Sequence, residues 1–372
     1  MEHRFLGEIC CPKQWKTIST SELTETGYPV YGANGIIGKY KEYNHEKATI
    51  LVTCRGATCG SVVISKPYSY VNGNAMALDN LDDDICIDYL YFYLIGRGFA
   101  DVISGSAQPQ IIRSTIEKIR IPLCNFEKQK QIASVFSTIN GMKLKFELLI
   151  EKYDQLVKAR FVEMFGDPQI NEKGFTKASM GEYLSLLTDF SSNGSYKALD
   201  SGVTMYDEPN YAWMVRTTDL ESGDMSSIKY IDKKAYELLS KSKIFGGEII
   251  MNKIGSAGKI YIMPKLTMPA SLGRNAFMFR YDERINNIFM YYLLTSDYGQ
   301  REIQQYVRGA VTKTITKDDA RSVLIIVPPL ELQQQFAGFV QQVDKSKLAV
   351  QQSLKKTQLL FDSLMQEYFG EN

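Results

Sequence analysis

Histidine is nearly missing from this chain: His3 and His45 are the only two in 372 residues. Imidazole acid–base catalysis and histidine-rich metal sites therefore have almost nothing to draw on. Cysteine is scarce too. All six (Cys10, Cys11, Cys54, Cys59, Cys86 and Cys124) fall in the first third, and so few thiols in so long a chain are expected to stay reduced, in the cytoplasm. The pair in "TCRGATCG", Cys54 and Cys59, finds no second closely spaced pair except the adjacent Cys10–Cys11, so buried free thiols are expected and no metal. There is no run of about 18 apolar residues to span a membrane. The opening stretch "MEHRFLGEICCPKQW" lacks the apolar core of a signal peptide. An excess of charge is lacking as well. Lys plus Arg is 43 and Asp plus Glu is 42, so any nucleic-acid surface has to be a local arrangement of basic residues, or be completed by a partner.

Catalytic signatures are also wanting. "GRGFAD" at Gly96 has neither a third glycine nor a preceding strand, so it fails as a dinucleotide fingerprint. "GSAGK" at Gly255 is too short for a P-loop, and no Ser or Thr follows Lys259. No Asn-Pro-Pro-Tyr or Asp-Pro-Pro-Tyr element and no nuclease-like carboxylate cluster occurs, and Asp82-Asp83-Asp84 reads as a solvated turn. The chain is expected to bind rather than to catalyse.

What is present is a repeat. "EKQKQIASVF" from Glu127 and "ELQQQFAGFV" from Glu331 align at an offset of 204 residues. The same offset matches Gly105 with Gly309, Ile111 with Ile315, Gln129 with Gln333, and "MFGD" (164–167) with "YFGE" (368–371). With small gaps the match extends upstream. "RGATCGSVVI" meets "IGSAGKIYI", "GNAMAL" meets "RNAFMF", "YLYFYL" meets "FMYYLL", and "FLGEI" meets "SMGEY". The period is too long for a solenoid, so the chain reads as two copies of one unit, a mixed globular segment followed by a helix.

From Phe126 to Phe165 there is no proline, and Gly141 is the only glycine. Apolar residues recur at heptad spacing, with Ile132, Ile139, Phe146 and Tyr153 in one seam position and Val135, Met142, Leu149 and Leu156 in the other. About 40 residues at about 1.5 Å each give a rod of roughly 60 Å, stopped by "GDP" at Gly166. The second copy keeps Phe336, Phe339, Val343, Val350, Leu360 and Leu364 in its stripe, interrupted by Ser346, Ser353 and Thr357. Each narrow apolar line must be covered, and two domain-then-helix units related by a pseudo-twofold cover each other's helices antiparallel. The predicted fold is α+β, a dumbbell of two similar globular domains joined by two long antiparallel coiled-coil helices. Its parts are a first domain at 1–125, a central helix at 126–166, a second domain at 167–328 and a C-terminal helix at 329–372. In the globular halves "ATILVTC", "SVVIS", "KIYIM" and "SVLIIVP" read as strands, and "DYLYFYLIG" and "NIFMYYLLTS" as short helices.

Two similar heads at a set distance suit DNA, whose grooves repeat about every 34 Å. The glycine-flanked turns carry the residues such a reader needs. In the first half these are Asn34, Lys39, Lys41, Arg55, Thr58, Asn72, Asn74 and Gln108, and in the second Lys253, Ser256, Lys259, Arg274, Asn275, Thr312 and Lys313. Asn and Gln pair with adenine, Arg and Lys with guanine, and Lys with phosphate.

"NFEKQKQIASVFSTI" and "PPLELQQQFAGFVQQVD" resemble the starts of the long helices in type I restriction–modification DNA specificity subunits. "FVEMFGDP" resembles their central junction, and "YPVYGANGIIGKY", "ILVTCRGATCGSV" and "GSAQPQI" resemble their target-recognition domains. The resemblance covers nearly the whole chain, with two departures: Cys124-Asn125 stands where the second copy has Pro328-Pro329, and Ser346, Ser353 and Thr357 interrupt the second helix. It implies that each head reads one part of a split, asymmetric double-stranded DNA site and that the helices set the gap. It also implies that the helices dock two methyltransferase subunits, with which two restriction subunits can associate. S-adenosylmethionine, ATP and Mg would then belong to those partners, and this chain would hold no cofactor and no catalytic residue. Two other readings remain at this point: a coiled-coil scaffold whose two heads bind protein, and a self-sufficient DNA-modifying enzyme.

Overall fold

The computed structural model describes residues 2–33, 35–105 and 108–370. Two compact units emerge, and each takes part of both long helices. Unit 1 comprises Met1–Leu149 with Ala349–Asn372, and unit 2 is Ile150–Leu348.

Unit 1 is built from three strand groups. A four-stranded antiparallel sheet has the order β2 (Cys11–Gln14), β8 (Ala75–Asp79), β5 (Ile50–Thr53), β6 (Val62–Ile64). A smaller sheet runs β4 (Gly35–Tyr40), β3 (Tyr28–Gly32), β7 (Tyr70–Val71), with β3 and β7 parallel. β1 (Glu2–Phe5) pairs antiparallel with β9 (Arg120–Leu123). The run "ILV" in β5 lacks polar alternation because the larger sheet is covered on both faces. Ile50, Val52, Met76 and Leu78 pack with the helix Ile87–Arg97, while Leu51, Ala75 and Ala77 pack against Tyr31 and Val71 of the smaller sheet.

Unit 2 repeats this plan with one strand more. Its larger sheet has the order β11 (Leu184–Asp189), β18 (Ala276–Tyr281), β15 (Ile249–Asn252), β16 (Ile260–Ile262). Its second sheet runs β13 (Lys229–Ile231), β12 (Ala212–Val215), β17 (Ala270–Leu272), β14 (Lys243–Ile244), and again the central pair, β12 and β17, is parallel. β10 (Thr176–Ser179) pairs with β19 (Leu324–Val327). The face-to-face alternation recurs: Ile249, Met251, Phe277 and Phe279 pack towards the helix Asn287–Thr295, and Ile250 and Met278 towards the second sheet. Unit 2 adds β14 and an insertion in which Phe190, Leu199 and Ala235 pack in a small core against Met214 of β12.

The two long helices are Phe126–Phe165 and Leu330–Phe369. The side chain of Asn125 starts the first, its Oδ1 accepting the Lys128 N–H at 2.9 Å. Gly166 ends it at φ +71°, and Lys173 Nζ donates to the last carbonyls, Glu163 O at 2.8 Å and Met164 O at 2.9 Å. Within each unit the helix segments run antiparallel. In unit 1 Phe136 stacks on Phe369 at 5.6 Å, while Lys143 Nζ lies 5.1 Å from the Phe361 ring. In unit 2 Phe165 meets Phe336 at 5.5 Å, Arg160 lies over Phe339, and Lys347 Nζ bonds Asp154 Oδ1 at 2.5 Å.

One helix seam differs from the sequence-based expectation. Ile132 and Ile139 are buried, and Phe146 and Tyr153 half-buried, as expected. Val135, Met142, Leu149 and Leu156 are instead exposed, by 37–47%, and the second seam position falls one residue later, at Phe136, Lys143, Ile150 and Val157. In the second helix Phe336 and Val343 are buried and Phe339, Val350 and Leu364 half-buried, whereas Leu360 is exposed and its neighbour Phe361 takes the seam. Thr357 is buried with its hydroxyl donating to Ser353 O at 2.8 Å, which satisfies its polar group within the helix. No helix among the described residues is long and apolar enough to cross a membrane.

Candidate nucleic-acid interface

Two loops meet at one end of the larger sheet in each unit, and their backbones are joined in the same way. In unit 1 the β5–β6 turn carries Gly56 and Gly60 at φ +89° and +90°, a conformation open to glycine without strain. Ile111 N donates to Cys54 O at 3.0 Å, and Gly56 N to Pro109 O at 3.2 Å, fixing this turn against the 104–110 loop. That loop closes on itself through reciprocal bonds of 2.8 Å between Ser104 and Gln110. Gly105 is required there, since a Cβ would come within 2.5 Å of Gln108 O. Cys54 N also donates to Asn74 O at 3.1 Å, which brings the turn before β8 into the group.

Unit 2 reproduces these bonds. Ile315 N donates to Lys253 O at 3.1 Å, Gly255 N to Lys313 O at 2.9 Å, and Lys253 N to Asn275 O at 2.9 Å. Arg308 and Thr314 close the second loop with bonds of 2.9 and 2.8 Å. Gly309 sits where a Cβ would meet Thr312 O at 2.2 Å. Close backbone approach thus explains Gly105 and Gly309, positive φ explains Gly56, Gly60, Gly255 and Gly258, and the loops they permit present side chains outward.

In unit 1 the joined loops bring Arg55, Thr58, Asn74 and Gln108 together. All four are exposed, and Thr58 Oγ1 donates to Ala33 O at 3.3 Å, tying in the β3–β4 turn. Asn34, in that turn, lies outside the described residues. Lys39 and Lys41 are exposed but belong to the other end of β4, and four residues of strand place Lys39 roughly 14 Å beyond Gly35. Asn72 is a correction. It is buried, its Oδ1 accepting Ile18 N and Gly73 N and its Nδ2 donating to Ile18 O. Its amide is consumed in holding the chain before β3 and is not offered to a ligand.

In unit 2 Ser256, Asn275, Thr312 and Lys313 are exposed on the joined loops. Asn275 takes φ +67°, which Asn tolerates better than most residues. Lys259 pairs with Glu221 at 2.5 Å, and this bond holds the Glu221 carboxyl below its ordinary range. Arg274 lies over the Phe190 and Tyr196 rings, at 5.1 and 5.6 Å, and pairs with Asp200 at 3.1 Å, so the unit 2 insertion orients it. Lys253 is a second correction. It is largely buried and bonded to Asp189 Oδ2 at 2.8 Å, so it is a fixed charge rather than a side chain free to reach a base edge.

The sequence reading missed the apolar members of these faces. Ile36 and Ile37 are exposed on β4, and Ile254 stands where unit 1 has Arg55. Val311 is 98% exposed at the tip of its loop. Apolar side chains at such tips suit contact with the thymine methyl group. For Ile254 and Val311 the repeat itself carried the signal, because these two positions fall in the matched loops. Among the described residues no group of three or more His, Cys, Asp or Glu is placed to hold a metal ion. The Cys54 thiol is buried and accepts from Gln14 Nε2 at 2.9 Å, and burial pushes its pKa up.

Comparison with known proteins gives one answer. A model of the type I restriction modification DNA specificity domain matches residues 1–151 and again 173–359. The specificity subunit of the type I restriction enzyme MjaVIII from Methanocaldococcus jannaschii is 24% identical, over 91% of this chain and 86% of that relative. The EcoprrI specificity subunit of Escherichia coli is 28% identical over 38% of this chain and 36% of its own length. Among solved structures, the S subunit of a type I restriction–modification system from M. genitalium superposes with a TM-score of 0.64 at 17% identity, covering 100% of this chain and 96% of that one. A chain from a structural study of complex assembly and conformational transition of the type I restriction–modification system gives a TM-score of 0.54 at 14% identity, covering 98% and 96%. At these identities the structures establish the fold.

Proposed function

The chain belongs to the type I restriction–modification DNA specificity family, and from that premise we propose that its two units each read one part of a split DNA sequence through the joined loops just described. It is the non-catalytic, sequence-reading subunit. The observation that carries this reading is the bond-for-bond duplication of the loop pair with a different set of exposed side chains on each copy. Unit 1 offers Arg55, Asn74 and Gln108, which carry no side-chain hydrogen bond among the described residues, and unit 2 offers Ser256, Asn275, Thr312 and Lys313. Equal scaffolds with unequal side chains are what an asymmetric, two-part site requires.

The long helices set the separation between the two reading faces and dock the partner subunits. Val135, Met142 and Leu149 support the docking, since they lie exposed at heptad spacing on the first helix, the pattern of a seam that receives another helix. Two methyltransferase subunits are the proposed occupants, with S-adenosylmethionine bound by them, and ATP and Mg by restriction subunits. The near-balance of charge fits this division of labour, because enclosing partners would supply much of the phosphate contact. The test is selection of random duplexes by the chain co-expressed with its methyltransferase. Enrichment of two short constant sequences at a fixed gap is expected, and recovery of no split sequence would sink the proposal.

A further inference from the structure

At the foot of the joined loops in unit 2, β11 ends on Asp189, opposite Phe277 of β18. Its buried carboxylate accepts from Lys253 Nζ at 2.8 Å, Lys317 Nζ at 2.8 Å, and Ser192 Oγ at 2.7 Å and N at 3.1 Å. Lys317 Nζ also reaches Ser192 Oγ at 2.8 Å. Burial pushes the Asp189 carboxyl up, but the bonds from Lys253, Lys317 and Ser192 outweigh it and hold the pKa at about 2. The carboxylate is thus charged at any working pH, and two ammonium groups share it, leaving one positive charge in excess. These groups line a cavity of about 450 Å3 together with Ile254, Phe277 and Thr314. Each ammonium has three N–H donors. One of Lys253's is taken and two of Lys317's, so three are uncommitted.

The matching place in unit 1 lacks this buried ion cluster. There Gln14, opposite Met76 on β8, replaces Asp189, and Cys54 replaces Lys253. Gln14 Nε2 donates to Cys54 Sγ at 2.9 Å and to Gly73 O at 3.0 Å. Arg113, which aligns with Lys317, is turned to Glu117 at 2.6 Å. The two units therefore share their loops and differ in the charge beneath them.

We infer that this cavity is a phosphate-binding pocket, in which Lys253 and Lys317, held by Asp189 and Ser192, take a backbone phosphate of the DNA that unit 2 reads. The inference rests on the DNA-reading function proposed above. Lysines pinned to a buried carboxylate cannot extend into a groove to a base edge, but they are well placed as fixed charges for a phosphodiester, a contact that positions the duplex without reading it. Unit 2 then grips the backbone through charges fixed within its fold.

The test measures the affinity of the full chain, with its methyltransferase partner, for the selected duplex and for a random one, between 50 and 300 mM salt. Lys317→Gln is expected to weaken both duplexes by a common factor, about 3- to 10-fold, and to lower the slope of log affinity against log salt by about one. Lys317→Arg is expected to restore most of that slope. An unchanged slope in a folded Lys317→Gln protein overturns the pocket, as does weakening of the selected duplex alone, which would make Lys317 a base reader. Displacement of wild-type protein by polyglutamate with the duplex slope unaffected by Lys317→Gln would assign the cavity to an acidic protein segment, and also overturns it. Wild-type protein that prefers no sequence refutes the DNA-reading function, an outcome separate from all of these.

Discussion

Gln129 and Gln333 show at single-residue scale why the chain repeats itself. Gln129 accepts from Cys86 N and donates to Asp84 O and Cys124 O. Gln333 accepts from Asn286 N and donates to Arg284 O and Pro328 O. Each amide is buried and satisfies three backbone groups, locking the start of a long helix to the loops behind it. Gln333→Ala would strand those three groups, and a loss of at least about 3 kcal/mol is expected, since each buried unpaired group costs about 1–3 kcal/mol. Gln335→Ala, in the same phrase but exposed, should stay within about 0.5 kcal/mol. Urea unfolding of both variants checks this, and equal losses would refute the locking role. The repeat made these glutamines visible in the sequence but not their purpose, because identity does not report burial. Asn72 and Lys253 were opaque for the same reason. Both residue types can read DNA, and only the Ile18 backbone around one and Asp189 beside the other show that their polar groups are already engaged.

At the scale of elements, strands and short helices were legible because burial leaves a periodic mark. "ILV" at β5 and "IYI" at β16 are strands, and the "YLYFYL" and "FMYYLL" stretches are helices, as the pattern indicates. The helix seam was half legible. Steps of three then four residues from Ile132 select Val135 and Met142, and steps of four then three select Phe136 and Lys143; both fit a heptad. Lysine at position 143 disguised the true line, yet its alkyl stem can lie in the seam with the ammonium against the Phe361 ring. Its counterpart Lys347 occupies the same place in the second helix and ends on Asp154. Phe136→Ala is therefore expected to cost about 3–5 kcal/mol, and Val135→Ala no more than about 0.5 kcal/mol. A reversed order by thermal or chemical denaturation would restore the earlier register. The helix starts show two solutions to one problem. Asn125 caps through its side chain, whereas Pro329, with no such group, offers its carbonyl to Leu332 N and Gln333 N at 3.0 and 3.2 Å.

For the molecule as a whole, the doubled architecture was readable from the 204-residue offset, because duplicated packing demands duplicated residues. Exposed loop tips such as Val311 follow no such demand, and the bases they meet are not written in them. A measurable consequence concerns length. One heptad added to each long helix, after Leu144 and after Leu348, lengthens the helices by about 10 Å, the span of about three base pairs. The selected DNA motif should keep both constant parts and gain about three unread pairs between them. A change in the constant parts, with the gap unaltered, would mean that the helices do not set the spacing.

The division of the helices between the units also has a bearing on synthesis. Unit 2 is one continuous segment, Ile150–Leu348, but unit 1 starts at the N-terminus and takes Ala349 onward from the C-terminus. Phe136 is sealed by Phe361 and Phe369. On the ribosome, at about 5–20 residues per second, the domain begun first waits roughly 10–45 s for its last core residues, and its later neighbour can close before it. During that interval the aromatic patch around Phe136 is bare, a stretch in which a chaperone or an early-binding partner subunit would have its opening.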